Sequence, residues 1–182
     1  YLYRRFNLSY HPENEILVTV GGSEGIDLAL RALVGPGDEV IIPEPSFVAY
    51  KGCTTFTGAT PKVIELKAEN EFKLTKEELL EAITPKTKVL IMPFPNNPTG
   101  AIMTKEELQE IVDVLKDKEI IIISDEIYAE LTYQTQHVSI ASFPEVKDQT
   151  LVINGFSKAY AMTGWRLGYV LANEYLVKMM KK

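Results

Sequence analysis

The sequence predicts an α/β protein built on a mainly parallel, seven-stranded sheet sandwiched by helices. Seven runs of β-branched and aliphatic residues recur along the chain, at 16–20, 39–42, 62–66, 88–92, 119–124, 150–154 and 167–171. Several are apolar at almost every position, the pattern of strands covered on both faces, as strands of a parallel sheet are. Between many of these runs the apolar residues return at helical spacing. Strands that alternate with helices imply crossover connections, and so neighbours that run in the same direction.

Taken in order, the run at 16–20 leads into Gly21-Gly22-Ser23-Glu24-Gly25. A helix follows, its apolar face formed by Ile26, Ala29, Leu30, Leu33 and Val34. Gly35-Pro36-Gly37-Asp38 stops that helix. The run at 39–42 ends in a proline-stiffened loop, Pro43-Glu44-Pro45-Ser46-Phe47. Thr75-Lys76-Glu77-Glu78 and Thr104-Lys105-Glu106-Glu107 both read as capping boxes that open helices. The second of these helices carries Leu108, Ile111, Val112 and Leu115 on one face. No repeat or linker interrupts the alternation.

Composition narrows the function. A chain of 182 residues that is 46% hydrophobic can bury a substantial single core. Its formal charge of -6 argues against a general nucleic-acid surface, so ligand-facing cations must be few and local. Cys53 is the sole cysteine, and His11 and His137 are the only histidines. No disulfide framework or Cys/His metal cluster can be assembled from that inventory, and the expected setting is a reducing cytoplasm. No apolar run reaches the length that spans a bilayer, so no membrane partner is expected.

In open parallel sheets, ligand groups gather outside the carboxyl ends of the strands. At the first such end, the amides of Gly22, Ser23 and Glu24 open a helix and suit a phosphate, although a strand-to-helix turn needs glycine anyway. Phe47 follows a rigid loop, as a core residue or as a platform for a flat ring. Asn97 lies in Pro93-Phe94-Pro95-Asn96-Asn97-Pro98-Thr99-Gly100, which is either an ordinary turn or a loop built for its geometry. Asp125 ends a strand of four isoleucines, and a buried carboxylate needs a cation or a hydrogen-bond donor. Asp125-Glu126 after such a strand also fits a magnesium-nucleotide enzyme. That reading requires a phosphate-binding loop of the Gly-x-x-x-x-Gly-Lys-Ser/Thr type, and the sequence has none. Lys158 is flanked by Gly155, Ser157 and Ala159, which leave its amine approachable, and Arg166 lies eight residues on. Together these suit an anionic ligand that also needs an amine.

The segment from Asn154 to Gly168 resembles the lysine motif of fold-type I, class I/II aminotransferases, which depend on pyridoxal 5'-phosphate (PLP). Gly-Gly-Ser-Glu-Gly, Asn-Pro-Thr-Gly and the Asp-x-x-Tyr of Asp125 and Tyr128 extend the resemblance in the expected order over essentially the whole chain. The resemblance implies a Schiff base between PLP and Lys158, with Asp125 against the ring nitrogen and Tyr128 and Asn97 on the phenolic oxygen. It implies Phe47 stacked on the ring, and the phosphate on Arg166 and the amides of Gly22, Ser23 and Glu24. A cis bond before Pro98 is expected by the same analogy.

Many relatives carry serine three residues before the lysine as a phosphate ligand. This chain has Gly155 there, and Ser157, on the neighbouring side of the chain, is not assigned that contact. The implied activity is transfer of an amino group between an amino acid and a 2-oxo acid. Two alternatives share these contacts, a carbon-sulfur lyase of the same fold and a non-catalytic PLP-binding regulatory domain. The chain opens without Met on what reads as the last turns of a helix and stops inside an amphipathic segment. The expectation is therefore that residues 1–182 form the large PLP-binding domain of a longer, homodimeric protein, without its N-terminal arm and C-terminal small domain.

Overall fold

The computed structural model describes residues 1–133 and 135–182. Each apolar run becomes a strand: β1 (Ile16–Thr19), β2 (Glu39–Glu44), β3 (Thr60–Glu65), β4 (Thr87–Met92), β5 (Ile121–Asp125), β6 (Thr150–Gly155) and β7 (Gly168–Leu171). They form one sheet in the order β1-β7-β6-β5-β4-β2-β3. β2 to β6 pair in parallel, whereas β7 is antiparallel to both β6 and β1. That reversal follows from the connection: between β6 and β7 the chain makes a 3-10 turn and no crossover helix, and antiparallel neighbours need none. The ends of the runs shift slightly, and β5 begins at Ile121 and takes in Asp125 as its last residue.

The helices are α1 (Leu2–Phe6), α2 (Gly22–Leu33), α3 (Ala49–Phe56), α4 (Lys76–Ala82), α5 (Lys105–Leu115) and α6 (Glu174–Met180). One face of the sheet, with Val40, Ile42, Val89, Ile91 and Ile123, packs against α2, α3 and α6. The alternate residues Ile41, Leu90 and Ile122 pack against α4 and α5. Burial on both faces is what makes the central strands continuously apolar. Both capping boxes form: Thr104 Oγ1 accepts from the Glu107 amide, and Glu107 Oε2 accepts from the Thr104 amide at 2.7 Å. The same reciprocal pair joins Thr75 and Glu78. Such a cap satisfies two amides that the first helical turn leaves without partners.

Short α1 is tied to the loop after β5. Arg5 donates from Nε and Nη2 to the two oxygens of Glu130 at 2.9 and 2.6 Å. Phe6 is buried edge-on against His137, with ring centroids 5.8 Å apart. Among the described residues no helix is long and apolar enough to cross a membrane.

Candidate active site

A cavity of about 190 Å³ opens at the carboxyl ends of the strands, lined from five separate connections. Gly22 and Ser23 come from the turn between β1 and α2, Phe47 and Tyr50 from that between β2 and α3, and Pro95 and Asn97 from the loop after β4. Asp125 ends β5 and Tyr128 lies in the turn just after it, and Ser157, Lys158 and Arg166 lie in the loop between β6 and β7. Parallel strands deliver their following loops to one edge of the sheet, so residues far apart in sequence share one opening.

At one corner the site gathers positive charge. Gly21 precedes α2 with φ 77°, a conformation glycine adopts without a steric penalty. A Cβ at Gly21 would lie 2.3 Å from Arg166 Nη2, so the guanidinium rests against the bare main chain beside the helix start. Arg166 Nη1 donates to the Thr163 carbonyl at 2.9 Å. Free amides, the positive end of α2 and a guanidinium in one corner make an anion site.

Beneath that corner three backbone segments touch. A Cβ on Gly168 would meet the Gly21 carbonyl carbon at 2.5 Å and the Gly22 nitrogen at 2.7 Å. A Cβ on Gly155 would meet Gly168 Cα and the Leu167 oxygen, each at 2.9 Å. Gly155 and Gly168 are paired across β6 and β7. The absence of serine at position 155 has a physical cause, because β7 approaches too closely to admit a side chain.

The opposite wall holds Asp125, 8% exposed. Its Oδ2 accepts from the Tyr50 hydroxyl at 2.7 Å, and its Oδ1 accepts from the Ile127 amide at 3.2 Å. Burial pushes its carboxyl above the ordinary carboxylate range, against the opposing pull of the Tyr50 hydroxyl and the Ile127 amide. Among the described residues no cation forms an ion pair with it. A buried acid held by neutral donors in an open cavity is ready for a cationic guest.

Glu126 does not share the site, which removes the acidic pair a magnesium-nucleotide enzyme would use. Its side chain is 1% exposed and faces away, accepting from Ser124 Oγ at 3.0 Å and Ser139 Oγ at 2.6 Å. His137 Nε2 lies 2.9 Å from Glu126 Oε2, at ion-pair distance but without hydrogen-bond alignment.

Lys158 Nζ sits 5.9 Å from the centre of the Tyr128 ring, within reach of the ring's negative face. Phe47 stands edge-to-face with Tyr50, centroids 5.6 Å apart at 85°. The loop bearing Asn97 is fixed by its neighbour Asn96, whose Oδ1 accepts from the Thr99 amide and hydroxyl and whose Nδ2 donates to the Pro45 carbonyl. That last bond ties the Asn97 loop to the loop carrying Phe47. The Asn97–Pro98 peptide is cis, as are Glu44–Pro45 and Phe94–Pro95.

Gly22, Ser23, Phe47, Asn97, Asp125, Tyr128, Lys158 and Arg166 all line the one cavity. Glu24 does not. Its carboxylate turns back to accept from the Val20 amide at 2.6 Å, so it closes the first turn of α2, and only its main-chain amide remains for a ligand. Ser157, to which the sequence assigns no ligand contact, is buried and also lines the cavity. Sequence reasoning misses Tyr50, although that residue closes the Pro-x-aromatic-x-x-Tyr segment that begins at Pro45 and contains Phe47.

The family model for aminotransferase class I and II matches residues 1–182, the whole chain. The chain belongs to that family. It is 50% identical over 182 residues to the putative aminotransferase YugH of Bacillus subtilis, covering all of this chain and 47% of that protein. It is 41% identical to an aspartate aminotransferase of Pyrococcus abyssi, again over its whole length and 47% of the relative. Among solved structures, an aromatic aminotransferase from Pyrococcus horikoshii superposes with a TM-score of 0.95 at 39% identity, over 98% of this chain and 48% of that one. As a member of the family, the chain thus spans about half the length of the curated relatives it matches.

Proposed function

We propose that residues 1–182 are the large cofactor-binding domain of a homodimeric aminotransferase, which exchanges an amino group between an amino acid and a 2-oxo acid. The observation that carries this reading is one cavity lined by both an approachable lysine amine and a buried carboxylate that has no cationic partner among the described residues. The donor set fits pyridoxal phosphate: an amine for its aldehyde, an acid for its ring nitrogen, an aromatic wall for its ring and a cationic corner for its phosphate. When bound, that group supplies the aldehyde for amine exchange and a ring that accepts the electron pair left as the substrate Cα loses its proton.

This chain's residues do the rest. Lys158 would hold the cofactor through Nζ, and its freed amine would be the base placed to move the proton at the substrate Cα. Asp125 would face the ring nitrogen and favour its protonated form. Tyr128 and Asn97 would donate to the phenolic oxygen, Phe47 would pack on the ring, and Arg166 with the Gly22 and Ser23 amides would hold the phosphate. The grip on the substrate carboxylate is assigned to parts of the relatives' length that this chain does not span.

The test is borohydride reduction of the full-length protein loaded with PLP, followed by peptide mapping. A pyridoxyl group on Lys158 is expected, and its absence there would end the proposal. Product analysis separates the chemistry: an oxo acid with amine transfer is expected, whereas release of ammonia would point to a lyase. Asp125→Ala should lower turnover by more than about tenfold, roughly 1.4 kcal/mol of barrier.

A further inference from the structure

Tyr50 occupies an unusual place for a core tyrosine. Its side chain is 3% exposed and belongs to the cluster formed by α2, α3 and the sheet, where a phenylalanine would bury equally well. The hydroxyl is the only reason to have tyrosine there, and it goes to a single acceptor, Asp125 Oδ2 at 2.7 Å. The ring meets Phe47 edge-on, and the Tyr50 amide donates to the Phe47 carbonyl at 3.2 Å. One residue therefore supports both walls of the cavity that are assigned to the cofactor ring.

We propose that Tyr50 is a positioning residue of the site: its hydroxyl orients the Asp125 carboxylate and favours its charged form, while its ring, packed edge-to-face with Phe47, props that ring. The inference rests on the proposed function and extends it to a residue that acts through its neighbours. Burial drives the Tyr50 hydroxyl far above its ordinary acidity range, and the Asp125 charge drives it further. The hydroxyl therefore stays a donor at every working pH. A hydrogen bond to an ionised acceptor is stronger than one to a neutral group, so this bond is stronger when Asp125 is charged. Burial works in the opposite sense on the same carboxylate, and the Tyr50 hydroxyl is the strongest of the groups that counter it.

The experiment compares the full-length protein with its Tyr50→Phe and Asp125→Asn variants, singly and together. Titration of the Asp125 carboxyl by carbon-13 NMR, without cofactor, should move upward by about one to two pH units in Tyr50→Phe. PLP affinity should fall roughly tenfold in that variant, with much less further loss when Tyr50→Phe is added to Asp125→Asn. An unchanged Asp125 titration in a folded Tyr50→Phe protein overturns the inference. So do losses of PLP affinity that simply add in the double variant. Should Tyr50→Phe not fold, the Asp125→Asn variant decides: its Tyr50 phenol should ionise at lower pH than the parent's, and an unmoved phenol overturns the inference. A parent protein that binds no PLP would instead refute the proposed function, a separate outcome from any of these.

Discussion

Placing a serine at position 155 should weaken this protein. A Cβ there would lie 2.9 Å from Gly168 Cα and 2.9 Å from the Leu167 oxygen, whereas carbon atoms in contact prefer about 3.5–4.0 Å. Both obstacles are main chain, so no side chain can rotate aside. β6 and β7 must part at their last paired residues, Gly155 and Gly168. Gly168 cannot retreat, because the Gly21–Gly22 backbone lies directly behind it. Overpacking of this kind costs about 1–3 kcal/mol. For a chain of this size each kcal/mol lowers Tm by roughly 2–4 °C, so Gly155→Ser should melt about 2–12 °C below the parent. Calorimetry on both proteins without cofactor measures the difference, and PLP titration checks for compensation through a new phosphate contact. A variant that melts at or above the parent temperature would refute the close-approach argument.

Asn96→Ala removes the acceptor of two Thr99 donors and the donor to Pro45; a loss of about 1–3 kcal/mol is expected, read by urea denaturation, with weaker PLP binding because two loops are untied. Thr104→Ala deletes the cap of α5 and should cost about 0.5–2 kcal/mol by the same assay, with PLP affinity unchanged because α5 lies away from the cavity. The hydrogen bond from Arg5 holds the Glu130 carboxyl below the ordinary range. Since the folded carboxyl is the more acidic, its contribution is complete above the unfolded pKa, about 4.3, and is lost as pH falls through the depressed folded value. The Tm difference between the parent and Arg5→Ala should therefore shrink on acidification through that window, and a constant difference would contradict the pairing.

What the sequence makes legible is local. The strands announce themselves through short runs rich in β-branched and aliphatic residues, several of them apolar at almost every position, and Thr75 and Thr104 announce their helices through a partner three residues on. Lys158, Arg166, Asn97 and the Asp125–Tyr128 pair stand out because each sits in a short segment whose composition is odd for a surface. The Tyr50 bond is not legible, since its acceptor is 75 residues away and nothing near Tyr50 distinguishes a donor from a packing residue. Gly155 reads as a missing ligand because its cause is the Gly168 backbone on another strand. Glu24 groups with its neighbours by position, but a carboxylate at a helix start also finds amides one turn back, and here the Val20 amide takes it.

The opposed facing of Asp125 and Glu126 bears on how the chain finds its alignment. Residues along a strand alternate sides, so a slip of one position would carry Glu126 into the opening and strand Asp125 among Ser139 and His137. The isoleucines before them offer little protection, since Ile121, Ile122 and Ile123 look alike to either layer of helices. Ser139 and His137, off the strand, provide what those three lack, a berth that fits the longer acid. Mistaken threading is thereby made expensive at the single step where it would silence the protein.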